Sequence, residues 1–253
     1  MEGRPAILTL KILSALLSYP EKDMLDALPQ MRDALDRERL CVGAERAALD
    51  ALLDELAEGN LYDLQERYVE LFDRSRRLSL HIFEHVHGES RDRGPAMIDL
   101  KALYEKQGME IAANELPDYL PLFLEYCATQ PANSARELLG QPAHVFAALA
   151  ERLKKHGSSY ETALRAILAV AAENPRKDDL DAILAENDEP GPNDLAALDA
   201  AWEEEAVSFG PAAKSGVGGC GSDALAARLR HAKRAVPTTD NPLRSPLRSG
   251  DLA

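Results

Sequence analysis

Apolar residues recur along this chain at helical spacing, and no stretch keeps the strict alternation of a half-buried strand. The stretch 7–18 is apolar almost all round and predicts a buried helix that Pro20 ends. The stretch 21–37 restarts with an acidic first turn, which suits the positive end of a helix dipole. A helix over 44–57 closes at Gly59-Asn60. Next, Leu61, Leu64, Tyr68, Leu71 and Phe72 fall at +3, +7, +10 and +11 from the first, an amphipathic stripe. The helical pattern resumes over 78–86 after an Arg-rich break, and 88–94 reads as a charged loop. Pro95 suits the first turn of a helix to Gln107, with Gly108 as its C-cap.

In the segment 114–130, Pro117 and Pro121 are both accommodated if Asp118 is the N-cap of a helix running to Gln130. Leu120, Phe123, Tyr126 and Cys127 then form the inward stripe. Glu115, Asp118, Leu122 and Glu125 step by three, four and three, which places an exposed leucine among three carboxylates on another face. Asn133 or Ser134 caps a short helix broken at Gly140-Gln141-Pro142. Helices over 143–155 (ended by Gly157), 158–172 and 178–186 follow, then a Pro/Gly linker at 187–192 and a last helix over 194–207. With no internal repeat, the fold class is all-α: one globular multi-helix domain, 1–209, of roughly eight to eleven helices, followed by a flexible basic tail, 210–253.

Composition agrees with helix-on-helix packing, because 45% of residues are hydrophobic while only 5% are aromatic. Charge sharpens the functional question. Asp and Glu number 43 against 29 Lys and Arg, a net charge of −14 over 253 residues. From Lys214 onward seven basic residues face three acidic ones, so the tail carries +4 and the preceding body −18. An acidic body argues against binding a phosphate backbone and for a basic partner. Cys41, Cys127 and Cys220 are few, scattered and without a CxxC, which points to a reducing compartment, neither a disulfide scaffold nor a zinc ribbon. The apolar stretch near the N-terminus is interrupted by Lys11 and is too short to span a bilayer; Tyr19-Pro20-Glu21-Lys22-Asp23 follows it, not a cleavage signal. The expectation is a cytoplasmic protein without stable membrane association.

Motifs for catalysis are sparse. His81-Ile-Phe-Glu84-His85 matches the H-x-x-E-H pattern of inverted zinc peptidases, with two imidazoles one helical turn apart and Glu84 as base. No third ligand is singled out, and a helix edge with locally paired histidines explains the pattern as well. A zinc-dependent hydrolase is therefore the rival reading. His87 and Glu89 add potential ligands, but a metal is not expected. The mixed charges at 73–77 and 89–93 read as local ion pairs or as the polar rim of a groove. The glycine-rich run 216–221 has no preceding strand and no Gly-Lys-Ser/Thr, so it reads as linker and not as a phosphate loop. Trp202-Glu-Glu-Glu205 reads as a helix with one apolar anchor.

Taken together, Tyr68-Val-Glu-Leu-Phe72-Asp-Arg, the block Phe83-Glu84-His-Val-His87-Gly-Glu89-Ser-Arg-Asp-Arg-Gly94, Tyr104-Glu and Glu115-Leu-Pro117-Asp118-Tyr119-Leu-Pro-Leu122-Phe-Leu-Glu125-Tyr126 resemble the NarJ-type assembly chaperones of respiratory nitrate reductase. These are the nitrate reductase delta subunits, or molybdenum cofactor assembly chaperones, within the TorD/DmsD-like redox-enzyme maturation group. Leu17-Ser-Tyr-Pro20 and Trp202-Glu-Glu-Glu205 fit too, so the resemblance spans roughly 7–209, with a weaker echo at 219–223.

The resemblance implies an all-helical TorD-like fold, no enzymatic activity and no resident cofactor. It implies binding to the N-terminal segment of the apo catalytic subunit while molybdenum cofactor and an iron–sulfur cluster are inserted, delayed membrane docking, and absence from the finished enzyme. Molybdenum cofactor delivery proteins are further partners on this reading. The partner-binding residues it marks are Tyr68, Phe72, Phe83, Glu84, His87, Glu89, Glu115, Asp118, Tyr119, Leu122 and Glu125. They are expected in a groove between the helices over 61–72 and 118–130, rimmed by 83–93. Phe72, Tyr119 and Leu122 supply apolar contact there, Glu84, Glu89, Asp118 and Glu125 meet cations, and His87 makes binding pH-sensitive.

Overall fold

The computed structural model describes residues 7–87, 90–111, 115–172, 175 and 177–185. The expected helix over 194–207, Trp202, the 216–221 run and the boundary at 210 lie outside the described residues.

Among the described residues twelve α-helices follow one another: α1 (Leu8–Leu16), α2 (Lys22–Asp26), α3 (Leu28–Glu38), α4 (Gly43–Glu58), α5 (Leu61–Phe72), α6 (Ile82–Val86), α7 (Arg93–Lys106), α8 (Leu120–Thr129), α9 (Ala132–Gly140), α10 (Ala143–Lys155), α11 (Glu161–Val170) and α12 (Lys177–Ala185). A 3-10 turn, Arg76–Leu78, precedes α6. Among the described residues the only strand-like pairing is an isolated bridge between His81 and Tyr119. The fold is all-α, as the periodicity implies. It has more helices than expected because 21–37 breaks in two at Ala27 and Leu28, where Pro29 occupies a first-turn position of α3. The 78–86 helix also shrinks to a 3-10 turn and the short α6.

The helices share one hydrophobic core. On α4, Leu49, Leu52, Leu53 and Leu56 are all fully buried, one face of a helix at i, i+3, i+4 and i+7. Each such side chain contributes roughly 1.5–3 kcal/mol through removal from water. Helix α1 lies antiparallel on α8: the Ile7 N–H donates to the Ala128 carbonyl at 3.0 Å and the Ser14 hydroxyl to the Pro121 carbonyl at 2.8 Å. Helix α11 packs on α10 and α4, and α12 on α10. Gly108 and Gly157 close α7 and α10 at φ +77° and +67°, a left-handed conformation that a β-carbon would strain.

Two helix starts are capped from a distance. The Glu38 carboxylate accepts from the Leu8 and Thr9 N–H groups and the Thr9 hydroxyl, each at 2.7 Å, and thereby joins α3 to the start of α1. Asp118 does the same for α6, described below. Arg152 is buried on α10, with Nη1 donating to the Arg77 carbonyl at 2.9 Å and Nη2 to the Ile183 carbonyl at 2.7 Å. It ties α12 and the 3-10 turn to the core. No helix among the described residues is long and apolar enough to cross a membrane.

Candidate functional site

The chain between α1 and α2 is drawn onto α5 by two side chains. Gln65 donates to the Pro20 carbonyl at 2.8 Å and the Tyr68 hydroxyl to the Leu17 carbonyl at 2.9 Å. These bonds stand the Tyr19 ring on the edge of Tyr68, with centroids 5.7 Å apart, and Phe72 follows at 4.8 Å from Tyr68. Asn60 starts α5 by accepting the Tyr62 N–H at 2.9 Å.

The segment 115–119 runs opposite as a strap. The Tyr104 hydroxyl holds it by donating to the Pro117 carbonyl at 2.9 Å. The Leu120 N–H donates to the Leu80 carbonyl at 2.8 Å and the Ile82 N–H to the Asp118 carbonyl at 3.0 Å, which sets His81 beside Tyr119. The Tyr68 and Tyr119 hydroxyls meet at 3.0 Å. Since the Leu17 carbonyl can only accept, the Tyr68 proton goes there, and Tyr119 is the donor within the tyrosine pair.

Between α5 and the strap opens a groove of about 450 Å³. Tyr19, Tyr68, Phe72 and Tyr119 give it an aromatic lining, and Leu80 and Leu116 extend the apolar surface. Asp73 and Glu115 are exposed carboxylates at its edge, and His81 completes it. Tyr19 and Leu116 are 43% and 46% exposed and both line the groove, which leaves apolar area there for a ligand to cover. Burial pushes the Tyr68 and Tyr119 hydroxyls above the usual phenol range, so both stay protonated donors.

Tyr68, Phe72, Glu115 and Tyr119 of the expected partner residues line this groove. The others are placed differently. Asp118 is fully buried, not at a rim, and it does not cap its own helix, whose N-cap is Tyr119. Its Oδ2 instead accepts the Phe83 N–H at 3.1 Å and its Oδ1 accepts from His81 Nδ1 at 3.2 Å. Leu122 is buried on α8, not exposed, because that helix begins only at Leu120 and is covered by α1. Phe83 is buried as well. Glu84 is engaged by Arg93 at 3.3 Å, the His87 ring meets the Phe83 ring edge-on at 5.3 Å, and Glu125 is exposed on α8 but does not line the groove. Glu89 lies outside the described residues. Among the described residues the rim is formed by the Tyr19 turn and the 115–119 strap, and none of the described residues of 83–93 lines the groove. Tyr19, Asp73, Leu80, His81 and Leu116 are the lining residues that periodicity missed. An apolar or aromatic residue beside a proline, as in Tyr19-Pro20 and Leu116-Pro117, was the available signal.

The members of the H-x-x-E-H pattern have separate partners. His81 donates to Asp118, which raises the imidazole pKa above its ordinary value despite partial burial. His85 donates Nε2–H to the Ser79 carbonyl at 2.8 Å, and burial holds its pKa below the usual range. Burial alone would raise the Glu84 carboxyl, but the Ser79 hydroxyl and Arg93 together hold it below the usual carboxylate range. Among the described residues no group of three or more His, Cys, Asp or Glu is arranged to hold a metal.

The family described as "Nitrate reductase delta subunit" matches residues 38–166. The "Nitrate reductase molybdenum cofactor assembly chaperone NarJ" of Escherichia coli K12 is 40% identical over 230 residues, covering 91% of this chain and 94% of that protein. The "Probable nitrate reductase molybdenum cofactor assembly chaperone NarW" of the same strain is 38% identical over 200 residues, 79% of this chain and 83% of that one. The chain thus belongs to the nitrate reductase delta subunit family, a family of assembly chaperones and not of catalytic enzymes.

Proposed function

We propose that this protein is a cytoplasmic chaperone for the catalytic subunit of a respiratory nitrate reductase. It takes the N-terminal segment of the apo-subunit into the groove between α5 and the 115–119 strap. It keeps that subunit receptive to molybdenum cofactor and iron–sulfur insertion, then releases it before membrane docking. The chaperone names of its relatives point to nitrate reductase as the client. The observation that carries the binding site is the groove itself: an aromatic and leucine lining with part-exposed Tyr19 and Leu116, bordered by Asp73 and Glu115. Such a surface fits an amphipathic segment that presents apolar side chains inward and cationic ones to the edge. The acidic body adds long-range attraction for a basic client. Binding without catalysis suffices for this role.

The test is calorimetric titration of the full chain with a synthetic peptide of the nitrate reductase catalytic subunit's N-terminus at two salt concentrations. Saturable binding that weakens with salt is expected. Binding indifferent to salt removes the carboxylates from the reading, and absence of binding removes the N-terminal segment as the client element.

A further inference from the structure

The chain carries, in its own C-terminal part, a segment with the chemistry the groove selects. In 223–236, Leu225, Leu229, Ala232 and Val236 recur at i, i+4, i+7 and i+11, the spacing that puts four apolar side chains on one helical face. Arg228 and Lys233 fall on either side of that face, and Arg230 and Arg234 add to the positive charge. Asp223 precedes the apolar positions where an N-cap belongs, and Pro237 follows where a helix would have to stop. The segment is basic in an otherwise acidic chain, and the groove's edge is acidic at Asp73 and Glu115.

We infer that the groove is the docking site of the chain's own segment 223–236, which lies in it as a pseudo-client and is displaced by the true one. The inference rests on the groove being the client site. Leu225 and Leu229 cover the exposed faces of Tyr19 and Leu116, while Arg228 and Lys233 meet Asp73 and Glu115. The 37 residues between Ala185 and Asp223, at up to about 3.3 Å each, span over 100 Å when extended, so length does not keep the segment from the groove. A tethered ligand faces its site at an effective concentration on the order of millimolar, so even weak docking keeps the groove largely occupied. The consequence is selectivity: a client segment must outcompete the tether, and weak or non-cognate basic helices are refused.

The docking is tested on the full chain without any client. Cys41 and Cys127 are buried, so a nitroxide reagent is directed to Cys220, three residues before the segment, with a single label verified by mass. Paramagnetic broadening of NMR signals from Tyr19, Asp73 and Leu116 is expected, and it should vanish in the R228E/L229D/K233E variant. Signals over the groove that stay sharp would overturn the inference. So would broadening seen only when label and isotope are on different molecules, which would give the segment to a second copy. A second arm titrates the client N-terminal peptide: the variant should bind it about tenfold more tightly than the parent chain, the factor expected when a tethered competitor is removed. Broadening over the groove with no client binding in either protein would leave the intramolecular docking standing and remove the client reading. Equal client affinity in both proteins together with sharp groove signals would remove the docking and leave the client reading.

Discussion

The carboxylate of Asp118 accepts the backbone N–H of Phe83, 35 residues away, at 3.1 Å, and so caps the short helix α6 from outside. Its other oxygen takes the His81 Nδ1 proton. A five-residue helix cannot sustain itself in water. Here its start is fixed by the same residue whose backbone pairs with Ile82, so the groove wall at Leu80–His81 and the strap at 115–119 form one unit.

Removing that carboxylate is a stability experiment, not a binding one. Asp118→Ala leaves a buried N–H without an acceptor and should cost about 2–3 kcal/mol in urea unfolding. Asp118→Asn retains one acceptor oxygen and should recover part of the loss. Charge reversal at Asp118 should unfold the region and say nothing about client charge.

His81 and His85 give opposite pH dependences. The folded pKa of His81 is raised, so its contribution is complete below the ordinary value near 6.5 and is lost as pH rises through the folded pKa. The folded pKa of His85 is lowered, so its neutral, Ser79-bonded form contributes fully above about 6.5 and stability is lost as pH falls below it. The destabilisation caused by His81→Gln should therefore be larger at pH 5.5 than at pH 8.5. Unfolding midpoints of both proteins across that range check the sign.

Two leucines separate groove from core. Leu116 is 46% exposed and lines the groove, whereas Leu122 is 7% exposed on α8. Leu116→Asp should change stability by no more than about 0.5 kcal/mol while client affinity falls about tenfold, or ~1.4 kcal/mol. Leu122→Asp should unfold the protein through burial of a charge without a partner. Equal client affinity in Leu116→Asp and the parent chain would move the site elsewhere.

The carboxylates offer a matched pair in the same way. Glu115→Lys, at the groove, should weaken client binding and flatten its salt dependence. Glu125→Lys, exposed but away from the groove, should do neither beyond a small change in long-range attraction. Titrations at low and high salt distinguish them.

Arg152 should behave as a latch. Its guanidinium donates in two directions, to the Arg77 and Ile183 carbonyls, which a lysine cannot reproduce. Arg152→Met and Arg152→Lys should each cost about 2 kcal/mol or more and expose α12 to limited proteolysis. Intact protection of α12 in both variants would refute the latch.

The sequence by itself determined the helical class and most helix positions, because a helix announces its buried face at a fixed period within one stretch of chain. The helix over Leu61–Phe72 and that over Ala143–Lys155 were readable to the residue, as was the closing signal of the second at Gly157. It also marked Tyr68, Phe72, Glu115 and Tyr119, through resemblance rather than periodicity. What only the tertiary structure decided is which polar residues face a partner and which hold the chain together. Asp118 and Glu115 are both carboxylates three positions apart, yet one is buried as a cap for α6 and the other lies open at the groove. The difference depends on α6 and its 3-10 approach, packed from elsewhere in the chain. The groove's remaining lining, Tyr19, Leu80, His81 and Leu116, comes from turns and short pairings whose positions are set by long-range hydrogen bonds from Gln65, Tyr68 and Tyr104. Such bonds leave no periodic trace in the sequence.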